Sequence, residues 1–140
     1  MNWIILVLTT AVFYGFYHFL VKVSSNQINQ IVGAVILQFV GLLVGLVGLI
    51  AFKINIFQQH PSAKGIIYSV LAGLAVGMAE ILSFYTFSKN VSLSLAAPII
   101  IGGSMLISII LGYLLLHESI NLVQAGAIVM ILIGVVVLLK

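Results

Sequence analysis

The amino-acid sequence predicts an all-α membrane protein, a bundle of five transmembrane helices formed by a single domain of residues 1–140. Of the 140 residues, 64% are hydrophobic and only 5% are charged, whereas a soluble domain carries about a quarter of its residues as charges. The apolar residues form five runs, each near the ~20 residues that a helix needs to cross the hydrocarbon core. The runs lack strict polar–apolar alternation, and a lipid-exposed backbone must satisfy its own hydrogen bonds, so helices are favoured over strands.

The five runs are separated by polar or turn-forming links. In order, they cover residues 3–21, 31–52, 65–87, 93–116 and 122–139. The first is too long for the core of a signal peptide and has no basic leading segment, so it is predicted to remain in the mature protein. The links are residues 24–30, 53–64, 88–92 and 117–121, of which the second contains the helix breaker Pro61.

Composition and motifs exclude several function classes. The chain has no cysteine, which excludes disulfides and thiolate–metal sites. Its five scattered lysines and lack of arginine make no basic patch for nucleic acid. No HExxH, GxSxG or P-loop motif is present, so neither an enzyme, a metal site nor a cofactor is predicted. Three classes remain for comparison: a small-molecule transporter, a non-transporting accessory or assembly subunit, and an intramembrane enzyme.

One carboxylate, Glu80, lies inside the third run and is one of only two in the chain. An unpaired charge facing lipid costs at least ~2.5 kcal/mol, so Glu80 is expected to face protein. Counting ~1.5 Å per residue along alternating spans places His18 and Gln38 at a similar depth. Two helical stripes carry these polar residues together with glycines: Gly73, Gly77, Glu80 and Phe84 on the third run, and Gln38, Gly41, Gly45 and Gly48 on the second.

These positions predict a proton- or cation-binding site in a transport cavity, because removal from water favours the neutral carboxyl and permits reversible loading. The residues predicted to form this proton or substrate site are Glu80, His18, Gln38, Tyr14, Tyr17 and Phe84. Aromatic walls and one acid favour small, partly apolar, amino-acid-like or cationic solutes over polyanions. The structural alternative is a glutamate held by His18, Lys22, Lys89 or a backbone group, with packing or interfacial roles for the histidine and the tyrosines.

Other positions have structural explanations beside functional ones. Glu118 precedes the fifth run, where Ser119 or Asn121 can cap and a negative charge favours a helix N-terminus. Pro98, Gly102 and Gly103 provide flexibility in the fourth helix or tight packing. Ala127, Met130 and Gly134 form a small-residue stripe, which serves either a dimer interface or packing within one chain.

Three segments carry a family resemblance: "YGFYHFLVK" in the first run, "FYTFSKNVSLSLAAPI" entering the fourth, and "LGYLLLHESINLVQAGAIVMILIGVVVLL" through the fifth. They resemble the EamA type of the drug/metabolite transporter superfamily. The residues in the order and spacing typical of that domain are Thr86, Ala97, Pro98, Glu118, Gln124, Gly126 and Gly134. The small multidrug resistance family is less similar, because its members have four helices and carry the key glutamate in the first, where this chain has no acid.

The resemblance implies a multi-pass secondary transporter of small metabolites or drug-like solutes in the cytoplasmic membrane. Most proteins of that type resemble two inverted five-helix units, whereas this chain has one, so a homodimer in the lipid bilayer is expected. Five spans put two lysines on one side and three on the other, which fixes the orientation only weakly. An antiparallel dimer formed by dual insertion, a parallel dimer and a paralogous partner all remain open.

Overall fold

The computed structural model describes residues 2–54 and 61–138. These residues form five α-helices, which confirms the predicted all-α fold. The helices are α1 (Trp3–Ser24), α2 (Gln30–Ala51), α3 (Ala63–Ser88), α4 (Leu93–Leu115) and α5 (Leu122–Leu138). Their ends agree with the predicted bounds to within three residues. Part of the predicted link at 53–64, namely residues 55–60, and the predicted end of the last run at residue 139 lie outside the described residues.

Length and hydropathy make this a multi-pass membrane protein. Among the described residues, four helices, α1 to α4, are long and apolar enough to cross a membrane. The apolar helix α5 has 17 described residues, which correspond to a length of ~26 Å at ~1.5 Å per residue. That α5 also crosses the membrane stays a prediction.

Short polar side chains define where several helices begin. Their oxygens accept hydrogen bonds from backbone N–H groups of the first turn, which have no partner within the helix. The capping residues are Asn2, Asn29, Ser62 and Asn121. After α2, α3 and α4, the chain turns at non-glycine residues in the left-handed region, where a helix cannot continue. These residues are Lys53, Asn90 and His117, with φ of 52°, 61° and 54°.

The chain forms two compact units, Met1–Asn90 and Val91–Lys140. In the first unit, α3 packs against both α1 and α2. In the second unit, α4 packs against α5. A single domain of residues 1–140 stays a prediction.

Burial in the first unit is confined to one end of its helices, called here the packed end. The packed end comprises residues 17–24 of α1 with the C-cap Ser25, residues 30–37 of α2 and residues 77–88 of α3, which include all the buried side chains of this unit among the described residues. Residues 2–16, 38–47 and 61–76 are exposed throughout. A Cβ added at Gly41, Gly45 or Gly73 would meet no atom of a neighbouring element within 4 Å. The three helices therefore pack together through one end and leave their other halves uncovered within the chain.

Close contacts hold the packed end together. The Phe84 ring lies directly over Gly33, so that a Cβ added to this glycine would be 2.5 Å from Phe84 Cε1. The Lys22 ammonium donates to the Phe87 carbonyl at 3.0 Å and so satisfies an acceptor in the last turn of α3. Together, these contacts place the C-terminal ends of α1 and α3 beside each other and beside the first turns of α2.

Candidate functional site

The centre of the candidate site is a hydrogen bond between two transmembrane helices. The Tyr17 hydroxyl of α1 donates to Glu80 Oε2 of α3, and both side chains are partly buried. A donor to the carboxylate offsets part of the cost of withdrawing it from water. Among the partners considered from sequence, Lys22 instead donates to the Phe87 carbonyl. The tyrosine was expected near the site, but not as the partner of the acid.

His18 lies beside this pair, inside the packed end. Its side chain is only 7% exposed. The imidazole lies 4.7 Å from the Tyr17 ring, between centroids, and 6.5 Å from the Phe87 ring. Within the described residues, its Nδ1 atom is buried without a hydrogen-bond partner. The structure therefore brings an imidazole next to the Tyr17–Glu80 pair, with one of its nitrogens buried and unpaired among the described residues.

Gln38 and Ser83 extend the polar group along α2 and α3. A Cβ added at Gly77, one turn before Glu80, would lie 3.5 Å from Gln38 Oε1. Gln38 is exposed, so its amide stands on the uncovered side of the acid. Ser83, one turn after Glu80, is buried with its hydroxyl beside Tyr17. Sequence reasoning missed Ser83, although its spacing of three residues from Glu80 places it on the same helix face.

Comparison with known proteins identifies the family. The EamA-like transporter family matches residues 1–140. The chain belongs to this EamA-like transporter family. The EamA-like chain is also 30% identical over 135 residues to the uncharacterized protein MJ1333.1 of Methanocaldococcus jannaschii. The aligned residues make up 96% of this chain and 94% of that relative. No solved structure matches it.

Membership confirms the resemblance based on the three sequence segments. The family is one of membrane transporters and not of enzymes, so the prediction of a transport protein without enzymatic activity agrees with it. The intramembrane-enzyme alternative is therefore dropped.

Two further predicted site residues of the EamA-like chain differ in their surroundings. Tyr14 is exposed, and its ring meets that of Tyr17 edge-on at 6.1 Å. Phe84 is only 3% exposed and packs on Gly33 in the contact between α2 and α3. Tyr14 thus belongs to the uncovered side of the site, whereas Phe84 belongs to the packed end.

The remaining candidate residues lie in the second unit. In α4, Pro98 is exposed, Gly102 lies against the Val135 side chain of α5, and Gly103 has no neighbouring atom within 4 Å of an added Cβ. This contact of Gly102 agrees with the tight-packing alternative, and flexibility of α4 at these three residues stays a prediction. The predicted interface residues Ala127, Met130 and Gly134 are exposed on α5. A dimer interface formed by these residues stays a prediction.

The geometry defines what the site of the EamA-like chain can do chemically. Glu80 is an acceptor for a proton or a single cation, with a phenol, an imidazole and an amide close to it. Within residues 2–54 and 61–138, no group of three or more histidine, cysteine or acidic residues is placed to hold a metal ion. The acid lies where the packed end meets the exposed halves of α1 and α3.

Proposed function

We propose that this EamA-like protein is a secondary transporter that moves small metabolites or drug-like solutes across the cytoplasmic membrane, coupled to protons through Glu80. The observation that carries the proposal is the Tyr17–Glu80 hydrogen bond between two membrane-spanning helices. A carboxylate within a span is costly, and such residues mark ion and substrate pathways. Its position at the limit of the packed end gives the acid both a fixed partner and an uncovered side.

Proton loading and solute binding use the same carboxylate in this mechanism. The phenol shares its proton with Glu80 but leaves the charge in place, whereas a bound proton or a cationic solute neutralises it. His18 and Ser83 line the packed side of the pair. Gln38 and Tyr14 stand on the uncovered side, where an amide and an aromatic face are available to a solute. Loading therefore removes the negative charge at the contact between α1 and α3.

The site favours small cationic or zwitterionic solutes with an apolar part. Tyrosine faces attract cations, and the acid supplies the counter-charge. In proteoliposomes with an imposed pH gradient, a panel of labelled metabolites and dyes should show saturable uptake of organic cations or amino-acid-like solutes. Multiply phosphorylated solutes should remain at the level of empty liposomes, and saturable uptake of such polyanions would contradict the proposed site. Flux for no member of a broad panel would favour the accessory-subunit alternative.

The functional assembly is a homodimer of five-helix units, with an antiparallel arrangement as the form to be tested. A central pathway between two inverted units is common among secondary transporters, and this chain supplies one unit. If all five helices cross, Lys53 and Lys64 lie on one side of the membrane, and Lys22, Lys89 and Lys140 lie on the other. This near balance of lysines allows insertion in both directions. Exposed Ala127, Met130 and Gly134 offer a face for close helix association.

Reporters fused to the C-terminus test the orientation directly. One reporter is active only inside the cell and the other only outside, and both should show activity. Two lysines added to either side should shift the balance of the two signals and lower transport together. A single orientation, unaffected by added lysines, excludes the antiparallel homodimer and leaves transport by a parallel dimer or with a partner protein.

A further inference from the structure

The second carboxylate of the chain, Glu118, is held against α4 by the backbone that follows this helix. The Gly112 carbonyl accepts hydrogen bonds from both Leu116 N and Glu118 N, at 3.1 and 3.2 Å. His117, between them, adopts the left-handed conformation with φ of 54°. The chain thus folds back and places Glu118 Oε2 over Gly112, where an added Cβ would be only 2.7 Å away. A glycine is needed at this position for the carboxylate to lie there.

Glu118 does not cap α5. Asn121 Oδ1 accepts from Gln124 N at 2.8 Å, and Gln124 Oε1 accepts from Asn121 N at 3.0 Å. This reciprocal pair satisfies the helix terminus. Within the described part of the chain, the carboxylate oxygens of Glu118 take part in no hydrogen bond or ion pair. The sequence-based explanation by capping therefore holds for Asn121 but leaves the carboxylate of Glu118 unused.

The same carboxylate lines a cavity of about 360 Å³ formed by the end of α4, the link and the start of α5. Ser119, Tyr113 and the amide of Gln124 are polar members of its lining, and Ile109 and Ile128 are apolar members. Since Gln124 Oε1 is engaged in the cap, the side-chain group left to the cavity is its NH₂ donor. The cavity therefore combines one anionic acceptor, several neutral donors and an apolar wall. Its volume is within the range typical of ligand sites, about 300–1,000 Å³.

We propose that this cavity binds an amine–phosphate zwitterion of the phosphoethanolamine type, supplied by a phospholipid headgroup or by the free solute. The compact ammonium, with its N–H donors, pairs with the Glu118 carboxylate. The phosphate accepts from the Gln124 NH₂ and from the Ser119 and Tyr113 hydroxyls. The site lies at the ends of two apolar helices, at the level of the membrane surface, where an acyl chain can follow Ile109 and Ile128. This binding requires neither transport nor Glu80.

Binding is measured as thermal stabilisation of the full-length protein in nanodiscs. Replacing part of the phosphatidylcholine by phosphatidylethanolamine should raise Tm in a saturable manner, by about 3 °C. Phosphatidylcholine is the control lipid, because its headgroup has the same charges but its trimethylammonium group has no N–H donor. Free phosphoethanolamine added to phosphatidylcholine nanodiscs separates the two sources. A response to the lipid alone assigns a headgroup site, and a response to both assigns a site for the zwitterion itself.

Three variants link the response to the cavity. Glu118→Gln removes the charge with little change in shape, and the stabilisation should be lost. Gly112→Ala keeps the charge but shifts the carboxylate, so it should weaken the response. Gly126→Ala is the matched control, because an added Cβ there meets nothing within 4 Å, and it should respond like the original chain. The proposal is overturned if neither probe raises Tm, or if the Glu118→Gln protein responds as strongly as the original chain.

Discussion

Glu80→Gln should abolish solute uptake driven by a pH gradient while the protein remains folded. The amide is nearly isosteric with the carboxyl group and still accepts a hydrogen bond from Tyr17. It cannot take up and release a proton, so the gradient has no group through which to act. The measurement is initial uptake into proteoliposomes with and without a pH gradient, together with the Tm of the purified protein. A Glu80→Gln protein with full gradient-driven uptake would remove this residue from the mechanism.

Two further variants distinguish proton loading from a purely structural role of the Tyr17–Glu80 hydrogen bond. Tyr17→Phe removes the hydrogen bond to Glu80 but keeps the carboxyl group, so gradient-driven uptake should persist in part. If Glu80 served only to hold α1 to α3, Tyr17→Phe would be the defective protein, and Glu80→Gln would be close to normal. Thr10→Val is the matched control for an isosteric polar change in α1, because the Thr10 hydroxyl donates only to the Leu6 carbonyl of its own helix.

Gly33→Ala should destabilise the protein by about 1–3 kcal/mol, as overpacking of a close contact does. The added methyl would lie 2.5 Å from Cε1 of the buried Phe84 ring. Relief requires Phe84 to leave its place over α2, which loosens the packed end. Thermal or denaturant unfolding in a single detergent measures the effect.

The same substitution at Gly41, to alanine, should stabilise the protein instead of destabilising it. This residue lies on the same helix, and an added Cβ meets nothing within 4 Å. Alanine there removes only the helix penalty of glycine, about 1 kcal/mol. Equal effects at Gly33 and Gly41 would show that the contact with Phe84 contributes little to stability.

The helices were predictable because membrane-spanning length and hydropathy are local properties of the sequence. The depth of a residue was also predictable, since it depends mainly on the fixed rise per residue. That argument placed Glu80 and Gln38 at one level, and the structure puts Gln38 against Gly77, one turn from the acid. It also placed His18 at a similar depth, and the structure puts the His18 ring against that of Tyr17.

Rotation about the helix axes was not predictable, because it depends on side-chain packing between helices. The choice of Tyr17 as partner of Glu80 is one consequence. The glycines are another: Gly41 and Gly73 lie on stripes noted from sequence, yet neither has a neighbour within 4 Å of an added Cβ. Gly33 makes the close contact, although no periodic stripe drew attention to it. Whether a glycine makes a close contact between helices depends on which side chain lies opposite it. The sequence of one chain does not show that pairing.

Because α1, α2 and α3 are buried at only one end, a tilt of a helix about that end produces a larger displacement at its exposed end. From Tyr17 to Trp3, α1 extends ~21 Å, so a tilt of about 10° at the packed end moves its tip by ~4 Å. Few side-chain contacts within the chain resist such a swing, because residues 2–16 and 61–76 are exposed. A small change of geometry at the Tyr17–Glu80 contact would thereby be amplified into a displacement at the far end of α1 that is wider than a water molecule.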